Sequence, residues 1–252
     1  MTFRIMNILE SIFLGIVQGL TEFLPVSSSG HLVIIKTLFG EVTTGALYES
    51  VLHAGTALAV LYYFSKELLN LTKNQIMLII LATVPVAVVG FTLQSFVESL
   101  FSSENITFVS ISLIATGFIN FAIFKLSGTR KKIELKDAAV IGLSQAIALV
   151  PGISRSGITI LGGKIRGIDA QHAARFSFIL SLPAIVGANM LEVYKYGSVS
   201  DIQIFPFVVG FIAAFLSGIF AIKVVMNLLA GKKFWVFGVY CIALGFASLL
   251  LN

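Results

Sequence analysis

The sequence predicts an all-α, polytopic membrane protein. Three observations carry that reading. First, 57% of the 252 residues are hydrophobic and only 12% are charged, about half the charge of an ordinary soluble domain. Mean hydropathy is +0.99. Second, the apolar residues fall into blocks of the length needed to cross a hydrocarbon core about 30 Å thick. Third, strict alternation of apolar and polar residues is absent, which argues against a transmembrane barrel. The whole chain, 1–252, reads as one integral membrane domain. The start, MTFRIMNILE, lacks the ordered basic, apolar and cleavage regions of a removable signal peptide. The single cysteine, Cys241, cannot form an intramolecular disulfide and reads as a small core residue. The net charge of +5 does not point to nucleic acid, because Lys and Arg gather in cytoplasmic loops for topological reasons.

From the N-terminus, a helix over 6–23 is followed by the break LPVSSSGH (24–31) and a short helix over 31–39. Full spans follow near 47–64, 74–92 and 105–126. A helix over 137–149, the break VPGISRSG (150–157) and a short helix over 156–163 come next. Spans near 170–195, 202–222 and 234–251 complete the chain. The connections alternate in charge. Segments 65–73, 127–136 and 223–233 carry Lys66 and Lys73, then Arg130, Lys131, Lys132 and Lys136, then Lys223, Lys232 and Lys233. Segments 93–104 and 196–201 carry only Glu98, Glu104 and Asp201. The positive-inside rule puts the basic set in the cytoplasm; Arg4, on the outer side, runs against it. The pattern closes if both interrupted segments are re-entrant helix–break–helix hairpins, the first from outside and the second from the cytoplasm. Lys164 and Arg166 fit that return, and Trp235 reads as an interfacial aromatic.

A shift of 127 residues places Gly15, Gln18, Ser27, Ser29 and Gly30 on Gly142, Gln145, Ser154, Ser156 and Gly157. That is five identities in sixteen positions, in hairpins of opposite orientation. It predicts an inverted-topology repeat, about 1–126 and 127–252, with both breaks meeting near the midplane to line a polar cavity.

Arg155 lies in the second break, where a charge at membrane depth marks a functional site. Guanidinium binds phosphate oxygens in a forked manner. Gly152 and Gly157 let the backbone approach, Ser154 and Ser156 add hydroxyls, and the following helix points its N-terminus inward. Together these make a phosphate cradle. The first break offers Ser27, Ser28 and His31. Ser28 is the repeat counterpart of Arg155 and is expected to face it across the cavity. It is the preferred catalytic serine, with His31 as acid/base or phosphate ligand. Ser27 reads equally as a helix cap. Gln18 and Glu22 share a helix face. Glu22 has three open roles: pairing with Arg155, binding a divalent cation, or acting as base. Metal binding by Glu22 and Gln18 would need phosphate oxygens to complete the shell. Glu49 and His53 read as a polar pair between helices or as outer support for the site. Glu10 reads as hydrated, and His172 and Arg175 as interfacial. No Walker, Rossmann or zinc pattern is present.

GIVQGLTEFLPVSSSGH (15–31) and PGISRSGITI (151–160) closely resemble the two signature segments of the undecaprenyl pyrophosphate phosphatase family of bacitracin-resistance type. FSFILSLPAIVGA (176–188) and LHAGTALAV (52–60) are also similar. The resemblance implies a plasma-membrane hydrolase that removes the terminal phosphate of a C55 isoprenoid diphosphate, uses Mg²⁺ or Ca²⁺, and opens to the outer face. It would make Glu22 and Gln18 the acidic-motif pair, Ser28 the nucleophile or activated hydroxyl, and Arg155 the diphosphate ligand. Ser27, Ser154 and Ser156 would support them. The family position matched by Gln18 is Glu or Gln, so here the charge rests on Glu22. Partners implied are the lipid substrate and the bilayer, with a homodimer left open. A lipid-phosphate carrier, or a protein that does both, is the alternative, since inverted repeats with broken helices also build carriers.

Overall fold

The computed structural model describes residues 7–39, 46–100, 105–196, 204–231 and 233–251. Arg4, Glu104, Asp201 and Lys232, used above for orientation, lie outside these described residues. Within them the chain is helical, with no named strand. The elements are α1 (Ile8–Phe23), α2 (Ser28–Phe39), α3 (Ala46–Tyr63), α4 (Ser65–Leu69), α5 (Lys73–Thr92), α6 (Gln94–Leu100) and α7 (Ile106–Lys125). Then come α8 (Leu135–Ile147), α9 (Arg155–Ile165), α10 (Ala170–Tyr196), α11 (Ile204–Ala230) and α12 (Trp235–Ser248), closed by a 3₁₀ turn at Leu249–Leu251.

Four helices among the described residues are long and apolar enough to cross a bilayer: α5, α7, α10 and α11. The protein is therefore a multi-pass membrane protein. Of the six expected spans, two fall short of that standard. The 18 residues of α3 include Glu49 and His53, and the last apolar helix covers only Trp235–Leu251. The span expected to end at 222 instead runs to Ala230. Lys223 did not stop it, because that residue is exposed while Ala221, Ile222, Val225 and Met226 are buried. A long cationic side chain can reach water from a helix flank.

Helix starts follow local chemistry. Asn7 and Glu10 form a capping box on α1, which gives Glu10 a cap role in place of simple hydration. Thr72 and Gln75 do the same on α5. Ser27 and Ser154 accept from Gly30 N–H and Gly157 N–H, each at 3.2 Å, and so cap α2 and α9. The two breaks are short, covering Leu24–Ser27 and Ala148–Ser154.

Small residues let the helices close. A Cβ on Gly15 would stand 2.5 Å from Gly210 O, and one on Gly142 would stand 2.6 Å from Ala82 O. Thus α1 packs on α11, and α8 packs on α5. Shifted by 127 residues, α1 maps onto α8, α5 onto α11 and α7 onto α12, so these contacts are reciprocal. Below the breaks, Phe23, Val26, Val60, Ile160 and Phe178 form one buried cluster. Phe23 and Phe178 meet edge to face at 5.5 Å. Cys241 is fully buried, as a core residue would be.

The start of α8 and the end of α9 meet at one place. Asp137, at the start of α8, accepts 2.9 Å hydrogen bonds from Arg130 Nη2 and from Arg166 Nε, just past α9. Glu134 N–H adds a third at 3.0 Å. Burial pushes the Asp137 carboxyl up; the bonds from Arg130, Glu134 and Arg166 outweigh it and hold the group below the usual carboxylate range. A depressed folded pKa gives stability that is present above the unfolded value and lost as pH falls through the folded one. The arginine side chains are 40% and 38% exposed, so water screens the pair. Asp137→Asn should therefore lower unfolding free energy at pH 7 by about 1–2 kcal/mol. Thermal unfolding in detergent, compared at pH 7 and below pH 4, should show a flatter acid slope in the variant.

Candidate active site

The two breaks meet. Ser29 Oγ in the first accepts from Gly152 N–H in the second at 3.3 Å. Ser156 Oγ at the second donates to Leu24 O in the first at 3.3 Å. Ser29 and Ser156 are related by the 127-residue shift, so each break sends the matching serine to the other. Within each break the serine pairs also match: Ser27 Oγ lies 3.1 Å from Ser29 Oγ, and Ser154 Oγ lies 3.2 Å from Ser156 Oγ.

The backbone at this junction is tightly specified. Ser27 has φ 66° and Gly152 has φ 92°, both in the left-handed region that L side chains rarely adopt. A Cβ on Gly152 would stand 2.5 Å from Ser112 Cβ and 2.6 Å from Val109 O. Helix α7 buttresses both turns. Thr116 Oγ1 donates to Gly152 O at 2.7 Å and accepts from Ser154 N–H at 3.1 Å. Asn120 Nδ2 donates to Pro25 O at 2.7 Å. Thr116 and Asn120 are fully buried. Sequence reading missed them, because a Thr and an Asn inside an apolar span read as ordinary helix–helix contacts.

Glu22 is the hub. It sits in the last turn of α1, with its side chain 7% exposed. One carboxylate oxygen, Oε1, accepts from Arg155 Nη2. The other, Oε2, accepts from Ser28 Oγ at 3.0 Å and from Gln18 Nε2 at 2.9 Å. Ser28 and Arg155 thus lie on the two oxygens of one carboxylate, with Glu22 between them. Glu22 thus pairs with Arg155, and the same carboxylate accepts the hydrogen bond of the Ser28 hydroxyl. Arg155 Nη1 also donates to Ser177 O on α10 at 3.4 Å.

The two histidines are placed differently from one another. The ring nitrogens of His31 hydrogen-bond to groups other than Ser28. Its Nδ1 lies 2.7 Å from Ser27 O and its Nε2 lies 2.7 Å from Tyr240 OH. Since a carbonyl only accepts, Nδ1 carries the proton and Nε2 accepts from Tyr240. His31 therefore holds the Ser27 turn. His53 comes into the site instead: its Nδ1 lies 3.1 Å from Gln18 Nε2 and 3.6 Å from Glu22 Oε2. Glu49, expected beside it, pairs with Lys36 at 2.7 Å. The only signal for His53 was its place on a polar face of α3.

Among the described residues no group of three His, Cys, Asp or Glu side chains could hold a metal ion by itself. One observation favours a cation completed by a ligand. Gln18 Oε1 is buried and has no hydrogen-bond partner, beside a carboxylate whose oxygens can each accept more than one contact. A hard cation takes such an amide oxygen and carboxylate, with phosphate oxygens and water for the remainder.

A model of the bacitracin resistance protein BacA family matches residues 11–247. A protein named undecaprenyl-diphosphatase from Carboxydothermus hydrogenoformans is 40% identical over 258 residues, covering 98% of both chains. One of the same name from Methanosphaera stadtmanae is 33% identical over 276 residues, covering 98% of this chain and 99% of that one. A third, from Thermodesulfovibrio yellowstonii, is 40% identical over 232 residues, covering 88% and 89%.

Proposed function

This chain belongs to the bacitracin resistance protein BacA family, and we propose that it hydrolyses undecaprenyl diphosphate to the monophosphate and inorganic phosphate. The observation that carries this reading is the shared carboxylate: Glu22 links a serine hydroxyl to an arginine from the opposite break. A carrier needs ligands for a phosphate; it has no need of a hydroxyl hydrogen-bonded to a base.

The mechanism follows from the geometry. The diphosphate enters between the breaks, and Arg155 exchanges part of its contact with Glu22 for phosphate oxygens. Backbone N–H groups near Gly152 and Gly157, with the Ser27, Ser154 and Ser156 hydroxyls, surround the anion. Glu22 Oε2 takes the proton of Ser28 as Ser28 Oγ attacks the terminal phosphorus. The Ser–O–P bond forms and the bond from that phosphorus to the bridging oxygen breaks, so the lipid monophosphate leaves. Glu22 passes the Ser28 proton to the departing oxygen. Water then attacks the phosphoserine, and Glu22 takes the water's proton and returns it to Ser28 Oγ as the Ser–O–P bond breaks and phosphate departs. In the version without a covalent step, Ser28 orients that water directly. Charge neutralisation and alignment dominate phosphoryl transfer. A Mg²⁺ or Ca²⁺ held by Glu22 and Gln18 would add to that neutralisation. Gln18→Ala should raise the Mg²⁺ concentration for half-maximal activity about tenfold, read from a metal titration of phosphate release.

The tail has a path. An apolar groove of about 540 Å³ runs between α3, α10 and α11, past Ala54, Ala57, Leu61, Ile185 and Phe211. It begins one residue from His53. We place the isoprenoid there, the site opening toward the outer face of the plasma membrane. The two halves, about 1–126 and 127–252, are read as inverted repeats with re-entrant hairpins, supported by the reciprocal serine and glycine contacts. Phosphate release from a C15 isoprenoid diphosphate by purified protein in detergent tests the function. Micelles have no second side, so release identifies a hydrolase. Binding without release would favour the carrier.

A further inference from the structure

At the basic end of the bundle, away from the breaks, lies a crevice of about 390 Å³. Its walls come from the start of α5, the start of α10 and the loop before α8. Two of its cations, Lys131 and Lys132, are exposed and have no hydrogen-bond or ion-pair partner among the described residues. A third, Arg175, is held at the rim by Glu67. His172 is engaged by Asp169 at 2.8 Å. The ionised lining is thus three cations against one carboxylate. The inner wall is apolar, including Leu78 (3% exposed) and Ile179 (7%).

The surroundings argue for the headgroup level of a membrane. Helix α5 is the least covered of the four long apolar helices: only 11% of its most apolar window is buried, against 33–50% for the others. Ile76, Met77 and Ile80, in its first two turns, are 45–60% exposed. A sparsely covered apolar helix that also walls a basic crevice suits a molecule with an anionic head and an acyl chain. Basic pockets between transmembrane helices on the cytoplasmic side take anionic lipid headgroups.

We propose that this crevice is a second anion site, which binds a phosphate group through Lys131, Lys132 and Arg175. The phosphate is carried by a membrane phospholipid or is free in the cytoplasm. The site plays no part in the chemistry at Ser28, and it stands whether or not the hydrolase reading holds.

The test is thermal unfolding of the purified full chain in detergent, titrated in parallel with dioctanoyl phosphatidylglycerol, dioctanoyl phosphatidylcholine and inorganic phosphate. Four proteins are compared: wild type, the double variant Lys131→Gln/Lys132→Gln, the charge-keeping Lys131→Arg/Lys132→Arg, and Lys66→Gln, at the same end but outside the crevice. Only the difference between wild type and double variant is assigned to this site, since phosphate groups can also enter at Arg155. Phosphatidylglycerol should stabilise wild type more than phosphatidylcholine does. Its apparent affinity should fall about 30-fold in the double variant, at the tenfold-per-1.4 kcal/mol scale and two lysines near a surface. It should hold in Lys66→Gln. Lys131→Arg/Lys132→Arg should retain it, which separates lost charge from lost fold. An equal variant-dependent loss with inorganic phosphate would identify the occupant as free phosphate. Equal response to both lipids, or no change in the double variant, would overturn the proposal.

Discussion

Arg155→Ala should lower phosphate release from an isoprenoid diphosphate by about 10³- to 10⁵-fold, the range seen when an arginine that meets transferring phosphoryl charge is lost. The start of α9 should persist, because its cap is Ser154, not Arg155. The loss has two sources. The forked cation that meets the diphosphate disappears. The Glu22 carboxylate also loses the partner on Oε1, and a nearly buried unpaired carboxylate is costly. Arg155→Lys should recover only part of the rate, since an ammonium supplies charge without two parallel donors. Rates under single-turnover conditions separate this from weaker binding: a fall in the saturated rate marks lost transition-state contact.

Glu22→Gln should cost about 10²- to 10⁴-fold in kcat, the usual worth of a positioned general base. The amide keeps the shape of the side chain but cannot take the Ser28 proton, and it removes the counter-charge from Arg155. Non-additivity is the sharper expectation. If Glu22 acts through Ser28, the double variant Glu22→Gln/Ser28→Ala should be no slower than Ser28→Ala alone, as for groups that work as a unit. Independent roles would make the two losses multiply. Steady-state phosphate release from the four proteins of the cycle decides between these outcomes.

The chemistry of this site was more legible than its wiring. Arg155 stood out because a permanent charge in apolar sequence needs a reason. Glu22, Gln18 and the serines followed from helical spacing and the 127-residue shift. The shift also implied that the breaks would meet, and Ser29 and Ser156 are the residues that cross between them. What could not be read was which oxygen meets which donor. Placing Ser28 opposite Arg155 from the repeat alone left out the carboxylate between them, because Glu22 has no acidic counterpart; position 149 is Leu. His31 misled for a related reason. Nearness in sequence to Ser28 suggested proton transfer, yet one turn of helix aims its ring at Ser27 O and at Tyr240, 209 residues away. Thr116 and Asn120 reach the site only through packing of α7 against the breaks, which no local pattern encodes; His53 reaches it from α3, as the outer support that was one of its two readings. Helix ends were legible where a capping side chain marked them. They were misjudged where charge was taken as a stop, as at Lys223.

In the proposed phosphatase site one carboxylate, Glu22, joins a serine pole and an arginine pole. The most direct measurement is phosphate release from an isoprenoid diphosphate by purified wild type, Ser28→Ala and Arg155→Ala in detergent, each with Mg²⁺ and with EDTA. Wild type should release phosphate only with metal present, and both variants should lose that release almost entirely. Near-normal turnover by either variant would contradict this site assignment.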